Sequence, residues 1–138
     1  MKKKILVSAC LLGLNCKYNG GNNYSKEIDK FLEDYDAIPV CPEIFGGLPT
    51  PRHPAEIVSG RVVNDLGEDV TENFKRGAAE TLKLAKKYNV KKALLKAKSP
   101  SCGNGKIYDG TFSNQLIEGD GITTQILKEN GIEIITIK

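Results

Sequence analysis

Ile5-Leu6-Val7-Ser8-Ala9-Cys10 is a short, nearly unbroken apolar run. It lacks the alternation of a half-exposed strand, so it reads as a strand covered on both faces, as in the interior of a parallel sheet. Parallel neighbours cannot be joined by tight hairpins, so such a strand requires crossover helices elsewhere in the chain. Candidates for both follow. After a polar, glycine-rich loop to about Asn23, Ile28, Phe31, Leu32 and Tyr35 fall at i, i+3, i+4 and i+7, predicting a helix with Ser25 as its cap. Ala37 to Cys41 reads as a second strand, stopped by Pro42. Asp69 and Glu72 resemble a capping box, with Val70, Phe74, Ala78, Leu82 and Ala85 on one face of a long helix ending near Asn89. Ala93 to Leu95 or Lys96 gives a third strand. A last helix from Asp120 or Gly121, burying Ile122, Ile126 and Leu127, leads to a final strand from Ile132 to Ile137. The expected fold is α/β: a small three-layer, Rossmann-like domain spanning residues 1–138, with a mostly parallel sheet of about four strands and helices on both faces.

Two segments interrupt this rhythm. Pro42 to Pro54 holds four prolines and Gly46-Gly47, which argues against regular structure and for a loop held in defined turns. Long loops in small domains are frequently functional. Ile57 to Val63 reads as a small hairpin or edge piece, and Ile107 to Ile117 as a loop with short extended pieces.

Charge narrows the partners. A net charge of +3 from 20 basic and 17 acidic residues is too small, and the lysines too scattered, for stable nucleic-acid binding. Lys2-Lys3-Lys4 reads as a solvated chain end. No apolar run reaches the length of a signal peptide or a membrane span, so the expectation is a cytoplasmic protein without a membrane partner. A chain of 138 residues buries a core without disulfides, and in a reducing compartment its cysteines are core fillers, metal ligands or catalytic thiols.

Cys10 and Cys41 end their apolar runs, and Cys102 follows the third run by a few residues in the turn Ser99-Pro100-Ser101-Cys102-Gly103. If the runs are parallel strands, all three thiols reach the carboxyl edge of the sheet, where open α/β folds bind ligands. Their spacing matches neither zinc ribbons nor bacterial ferredoxins. Burial of each as a small hydrophobe is the competing reading, but three thiols at one rim favour a metal or cluster site.

Longer motifs carry a resemblance. Ser8-Ala9-Cys10-Leu11-Leu12-Gly13, Cys16-Lys17-Tyr18-Asn19-Gly20, Cys41 through Arg52, Ser99 through Gly103, and Ile107-Tyr108-Asp109-Gly110-Thr111-Phe112 resemble, in order and over nearly the whole chain, the DUF523 family. Its characterised members are thiouracil desulfidases. The resemblance implies a [4Fe-4S] cluster held by three cysteines, by position Cys10, Cys41 and Cys102, and non-redox removal of sulfur from a small thiolated pyrimidine. Three ligands leave one iron open to act as a Lewis acid toward a thiocarbonyl sulfur. Glu43, two residues after Cys41, is the expected proton shuttle, and Ser101 the expected hydrogen-bonding partner of substrate or cluster sulfur. Gly46-Gly47 and Gly103 are expected to let backbone N–H groups approach the cluster or a flat ring. Arg52 is expected to form a salt bridge within its loop, and His53 to lie on the surface. Asp109 and Asp120 are expected to cap turns. Lys17 and Asn19 stand where the family pattern has arginine and aspartate. Cys16 also falls inside a family motif, where it could replace one of the three ligands, serve as a fourth, or pair with Cys10 when the cluster is lost; the expectation is that it stays outside the cluster, whose chemistry a fourth thiolate would abolish. The alternative to an enzyme is a non-catalytic metal protein, zinc-stabilised or a sulfur or cluster carrier, using the same cysteines.

Overall fold

A computed structural model describes residues 2–138. Its centre is β1 (Lys3–Ser8), whose last four residues are buried, as the apolar character of Ile5, Leu6 and Val7 requires. Strand β2 (Tyr35–Val40) pairs with β1 on one side, β5 (Lys92–Lys96) on the other, and β8 (Glu133–Ile137) forms the edge beyond β5. The order β2-β1-β5-β8 is parallel at every pairing. Because the chain steps from β1 to β2 on one side and then returns to β5 on the other, β1 and β5 flank a topological switch point. The carboxyl end of that crevice is where doubly wound sheets bind ligands.

The helices cover both faces. Leu6, Val40, Ala93 and Leu95 pack with Ala85 of α3 (Thr71–Lys87) and Leu127 of α4 (Ile122–Glu129). On the opposite face Ile5, Val7 and Leu94 pack with Ile28 of the short helix α1 (Glu27–Phe31). Two hairpins lie outside the sheet: β3 (Ala55–Val58) with β4 (Arg61–Asn64), and β6 (Lys106–Tyr108) with β7 (Leu116–Glu118). Among the described residues no helix is long and apolar enough to cross a membrane.

Several local expectations are corrected. Tyr35 belongs to β2, not to the first helix, which is only five residues long. Ser25 does not cap it: the cap position is Lys26 and carries no side-chain bond. The Pro42–Pro54 segment is not wholly irregular, because Pro42–Phe45 forms one helical turn, α2. Proline at the first helical position is preset for this. The Asp69/Glu72 capping box is half realised: Asp69 Oδ1 accepts the Thr71 N–H at 2.9 Å, while Glu72 reaches an exposed Lys75. In α4 the wholly buried residues are Thr123, Thr124 and Leu127, with Ile122 and Ile126 only partly covered. Thr124 is accommodated because its hydroxyl donates to Cys102 O at 2.9 Å.

Gly46 and Gly103 sit in close packing contacts, whereas Gly47 is required by its left-handed φ of 91° and meets only ordinary contacts. A Cβ on Gly46 would stand 1.9 Å from Asn73 O, and one on Gly77 would stand 1.7 Å from Pro42 O. The two glycines let α2 and α3 touch backbone to backbone, and Asn73 Nδ2 donates to Gly46 O at 2.9 Å across the same contact. A Cβ on Gly103 would meet Ser99 O at 2.7 Å, within its own turn.

Candidate active site

Three strand ends converge as expected. Cys10 lies in a 3-10 turn, Ala9–Leu12, directly after β1. Cys41 is the residue before α2, directly after β2. Cys102 follows β5 in the turn closed by Gly103 N–H to Ser99 O at 2.9 Å, and its own N–H donates to Ser99 Oγ at 2.7 Å. All three thiols line one cleft of about 580 Å³ at the carboxyl edge of the sheet, a volume suited to a small ligand.

Cys16 joins them. It is buried and lines the same cleft, and its carbonyl accepts the Cys41 thiol at 3.9 Å. The Cys16 hydrogen bond is the largest influence on each neighbour, lowering Cys10 to about 6 and Cys41 to about 7 from the ordinary thiol value. Cys16 itself is pushed far up by the same two neighbours and by burial. Burial raises Cys102 to about 12, against weaker hydrogen bonds from Ser8 and Ser101. Ser8, which also accepts the Lys96 N–H at 3.0 Å, thus links β1, β5 and Cys102. A serine inside an apolar run was the available signal.

Glu43 and Ser101 meet beside these thiols. Ser101 Oγ donates to Glu43 Oε2 at 2.9 Å and lies 3.7 Å from Cys102 Sγ. The other carboxylate oxygen, Glu43 Oε1, accepts from Arg52 Nε at 3.0 Å. Arg52 is almost completely buried, donates to Cys16 O at 2.8 Å and to Thr50 Oγ1 at 3.0 Å, and so ties both proline-rich loop and Cys16 loop to the carboxylate. A buried, charge-assisted pair of this kind fixes an acid's orientation. His53 is on the surface, paired with Asp65 at 2.9 Å. Asn19 Oδ1 accepts the Gly21 N–H at 2.9 Å, a turn contact. Asp109 caps Thr111 N–H, while Asp120 accepts from Gly105 N–H and pairs with Lys128.

Glu56 of β3, Tyr108 of β6, and Phe112 and Asn114 of the β6–β7 loop also line the cleft, as do Lys17, Lys96 and Lys98.

A single tetrahedral ion needs three or four donors within one short bond length, and among the described residues no such group of Cys, His, Asp or Glu exists. Thiolates on separate irons of a cubane stand farther apart, so an all-cysteine set around a roomy cleft fits a cluster better than one ion.

The model of the 2-thiouracil desulfurase family matches residues 5–138. This chain belongs to that family. Another protein like this member is the uncharacterized protein YbbK of Bacillus subtilis (strain 168), 46% identical over 142 residues that cover 96% of this chain and 94% of the relative. The solved structure of the [4Fe-4S]-dependent thiouracil desulfidase TudS (DUF523Vcz) superposes with a TM-score of 0.91 at 44% identity, covering 98% of this chain and 91% of that one. The resemblance read from the motifs, and the α/β fold with its parallel four-stranded sheet, therefore hold.

Proposed function

We propose that this family member hydrolyses the C=S bond of a small thiolated nucleobase such as thiouracil, using a [4Fe-4S] cluster held by Cys10, Cys41 and Cys102. The observation that carries this reading is the hydrogen-bonded series Arg52–Glu43–Ser101, which ends 3.7 Å from Cys102 Sγ. A zinc-stabilised or carrier protein would have no use for a proton relay pinned beside its thiols. The similarity to a [4Fe-4S]-dependent thiouracil desulfidase supports both the cofactor and the substrate class.

The reaction balances as C=S plus water giving C=O plus hydrogen sulfide, with no change in oxidation state. When bound, the cluster supplies one iron without a protein ligand, a thiophilic Lewis acid for the thiocarbonyl sulfur. Glu43 Oε2 is the base that takes the proton of the attacking water. Ser101, whose hydroxyl donates directly to that oxygen, fixes the orientation of the carboxylate toward the cleft. Protonated Glu43 then returns that proton to the departing sulfur, and as the new hydroxyl becomes the carbonyl its proton passes by the same carboxylate, so that sulfur leaves as hydrogen sulfide. Arg52 acts earlier, by keeping Glu43 from swinging into solvent. Cys16 remains outside the ligand set.

Anaerobically reconstituted protein is the test. It is expected to be brown, to hold about four irons per chain, and to release sulfide from 2-thiouracil. Cys10→Ser, Cys41→Ser and Cys102→Ser are each expected to lower iron content, and Cys16→Ser to keep it. Colourless protein that takes up zinc, or a brown protein inert toward a panel of thiolated pyrimidines, would overturn the proposal.

A further inference from the structure

Glu56 is a carboxylate with only 9% of its surface exposed, and the relay above does not use it. It projects from β3 into the cleft wall, and its hydrogen-bond partners are backbone amides rather than a cation: Oε1 accepts from Gly110 N–H at 3.0 Å and from Phe112 N–H at 3.1 Å. An ionised oxygen accepting two N–H groups makes a stronger clasp than a neutral one.

The clasp holds a segment with few other attachments. Every residue from Thr111 to Glu118 is exposed, and within the loop Asp109 N–H to Gln115 O at 2.9 Å continues the β6–β7 ladder. Gly110 is seated so closely on β3 that a Cβ there would lie 2.8 Å from Ile57 O. Phe112 and Asn114 have φ of 57° and 63°, conformations that cost non-glycine residues energy and recur at ligand clamps. The result is an aromatic ring, 38% exposed, lining the cleft that the four thiols also line. An exposed aromatic fixed in a strained backbone at the wall of a ligand-sized cleft has the character of a stacking surface for a flat heterocycle.

We propose that Glu56 is a positioning residue for the substrate ring: by clasping Gly110 and Phe112 it fixes Phe112 as the surface against which a thiolated pyrimidine lies. The proposal rests on the desulfidase reading for the identity of the ring, whereas the clasp itself is tested without any activity.

In cofactor-free protein the Gly110 and Phe112 amides are expected to be protected from hydrogen exchange, to lose that protection in Glu56→Ala and to retain it in Phe112→Ala. Unprotected amides in the unsubstituted protein would overturn the clasp. In reconstituted protein, Glu56→Ala and Phe112→Ala are each expected to raise KM for 2-thiouracil about tenfold, with kcat within about twofold and iron content unchanged. The double variant is expected to match the worse single one, because both remove the same contact. Glu56→Gln, which keeps an acceptor oxygen, is expected to stay within about threefold of the original KM. An unchanged KM in Phe112→Ala, multiplicative losses in the double variant, or loss of iron in Glu56→Ala would overturn the proposal. Absence of sulfide release from the unsubstituted holoprotein would instead sink the desulfidase reading, with hydrogen exchange still deciding the clasp.

Discussion

Two carboxylate oxygens of Glu43 have different partners, a guanidinium on one and a hydroxyl on the other, and this division assigns separate consequences to each neighbour. Glu43→Gln is expected to keep iron binding but lose at least about a hundredfold in kcat, the usual cost of removing a positioned base. Arg52→Lys retains the charge but not the fork that reaches Glu43, Thr50 and Cys16 together, so kcat is expected to fall while the thiols still load. Full turnover in either variant would contradict the relay. The thiols are also unequal. In cofactor-free protein at pH 7.5, brief iodoacetamide treatment followed by peptide mass spectrometry is expected to label Cys10 and Cys41, held down to about 6 and about 7, ahead of Cys102, raised to about 12. Cys102 labelling first would refute this ordering.

At the scale of elements, the position of Cys41 and Glu43 depends on α2, a single turn that could not persist alone. Its attachment is the glycine contact with α3. Gly77→Ala places a methyl group 1.7 Å from Pro42 O, and is expected to lower unfolding free energy by about 2–3 kcal/mol in urea titration, with iron content reduced because Cys41, a proposed ligand, directly precedes α2. An unchanged urea midpoint would show that the helices separate freely. This contact also marks the limit of what the sequence discloses. The strands of the sheet were legible because Ile5–Val7 and Ala93–Leu95 are buried on both faces and read as continuous apolar runs. Tyr35 opens β2 although its spacing from Ile28 is helical, because the first residue of a strand can satisfy that spacing equally well. Thr71, Thr81, Thr123 and Thr124 are buried, yet a polarity pattern sends threonine outward. The cysteine rim, Glu43 and Ser101 could be named from strand ends and motifs. Glu56 and Phe112 could not be assigned a task, because their hairpins lie outside the sheet and carry no period that aims a side chain.

For the molecule as a whole, acid exposes one surface contribution cleanly. Asp69 is held below the usual carboxylate range by hydrogen bonds from Thr71 and by Arg61. A carboxylate depressed in the folded state adds stability that is full above its unfolded value of about 3.9 and disappears as pH falls through the folded value. Asp69→Asn is therefore expected to flatten the loss of thermal stability below about pH 4, followed by circular dichroism, while leaving the neutral-pH curve less affected; an identical acid slope in the variant would refute this. Cluster loading depends on pH through a different set of groups. Thiol ligands must shed protons to bind iron, so with Cys102 raised to about 12, iron incorporation is expected to be more complete at pH 8.5 than at pH 6.5, read as iron per chain.

The strand order β2-β1-β5-β8 has a consequence for how the protein is made. The proposed ligands come from the first, second and third strands of the sheet, so a chain emerging from the ribosome can display two thiols long before the third is synthesised. Only after α3 has crossed over and β5 has docked beside β1 do all three occupy one rim. On the proposed ligand set, biogenesis is thereby ordered, with the polypeptide completing its architecture first and receiving its inorganic part afterwards, and a truncated product ending before Cys102 is expected to hold none.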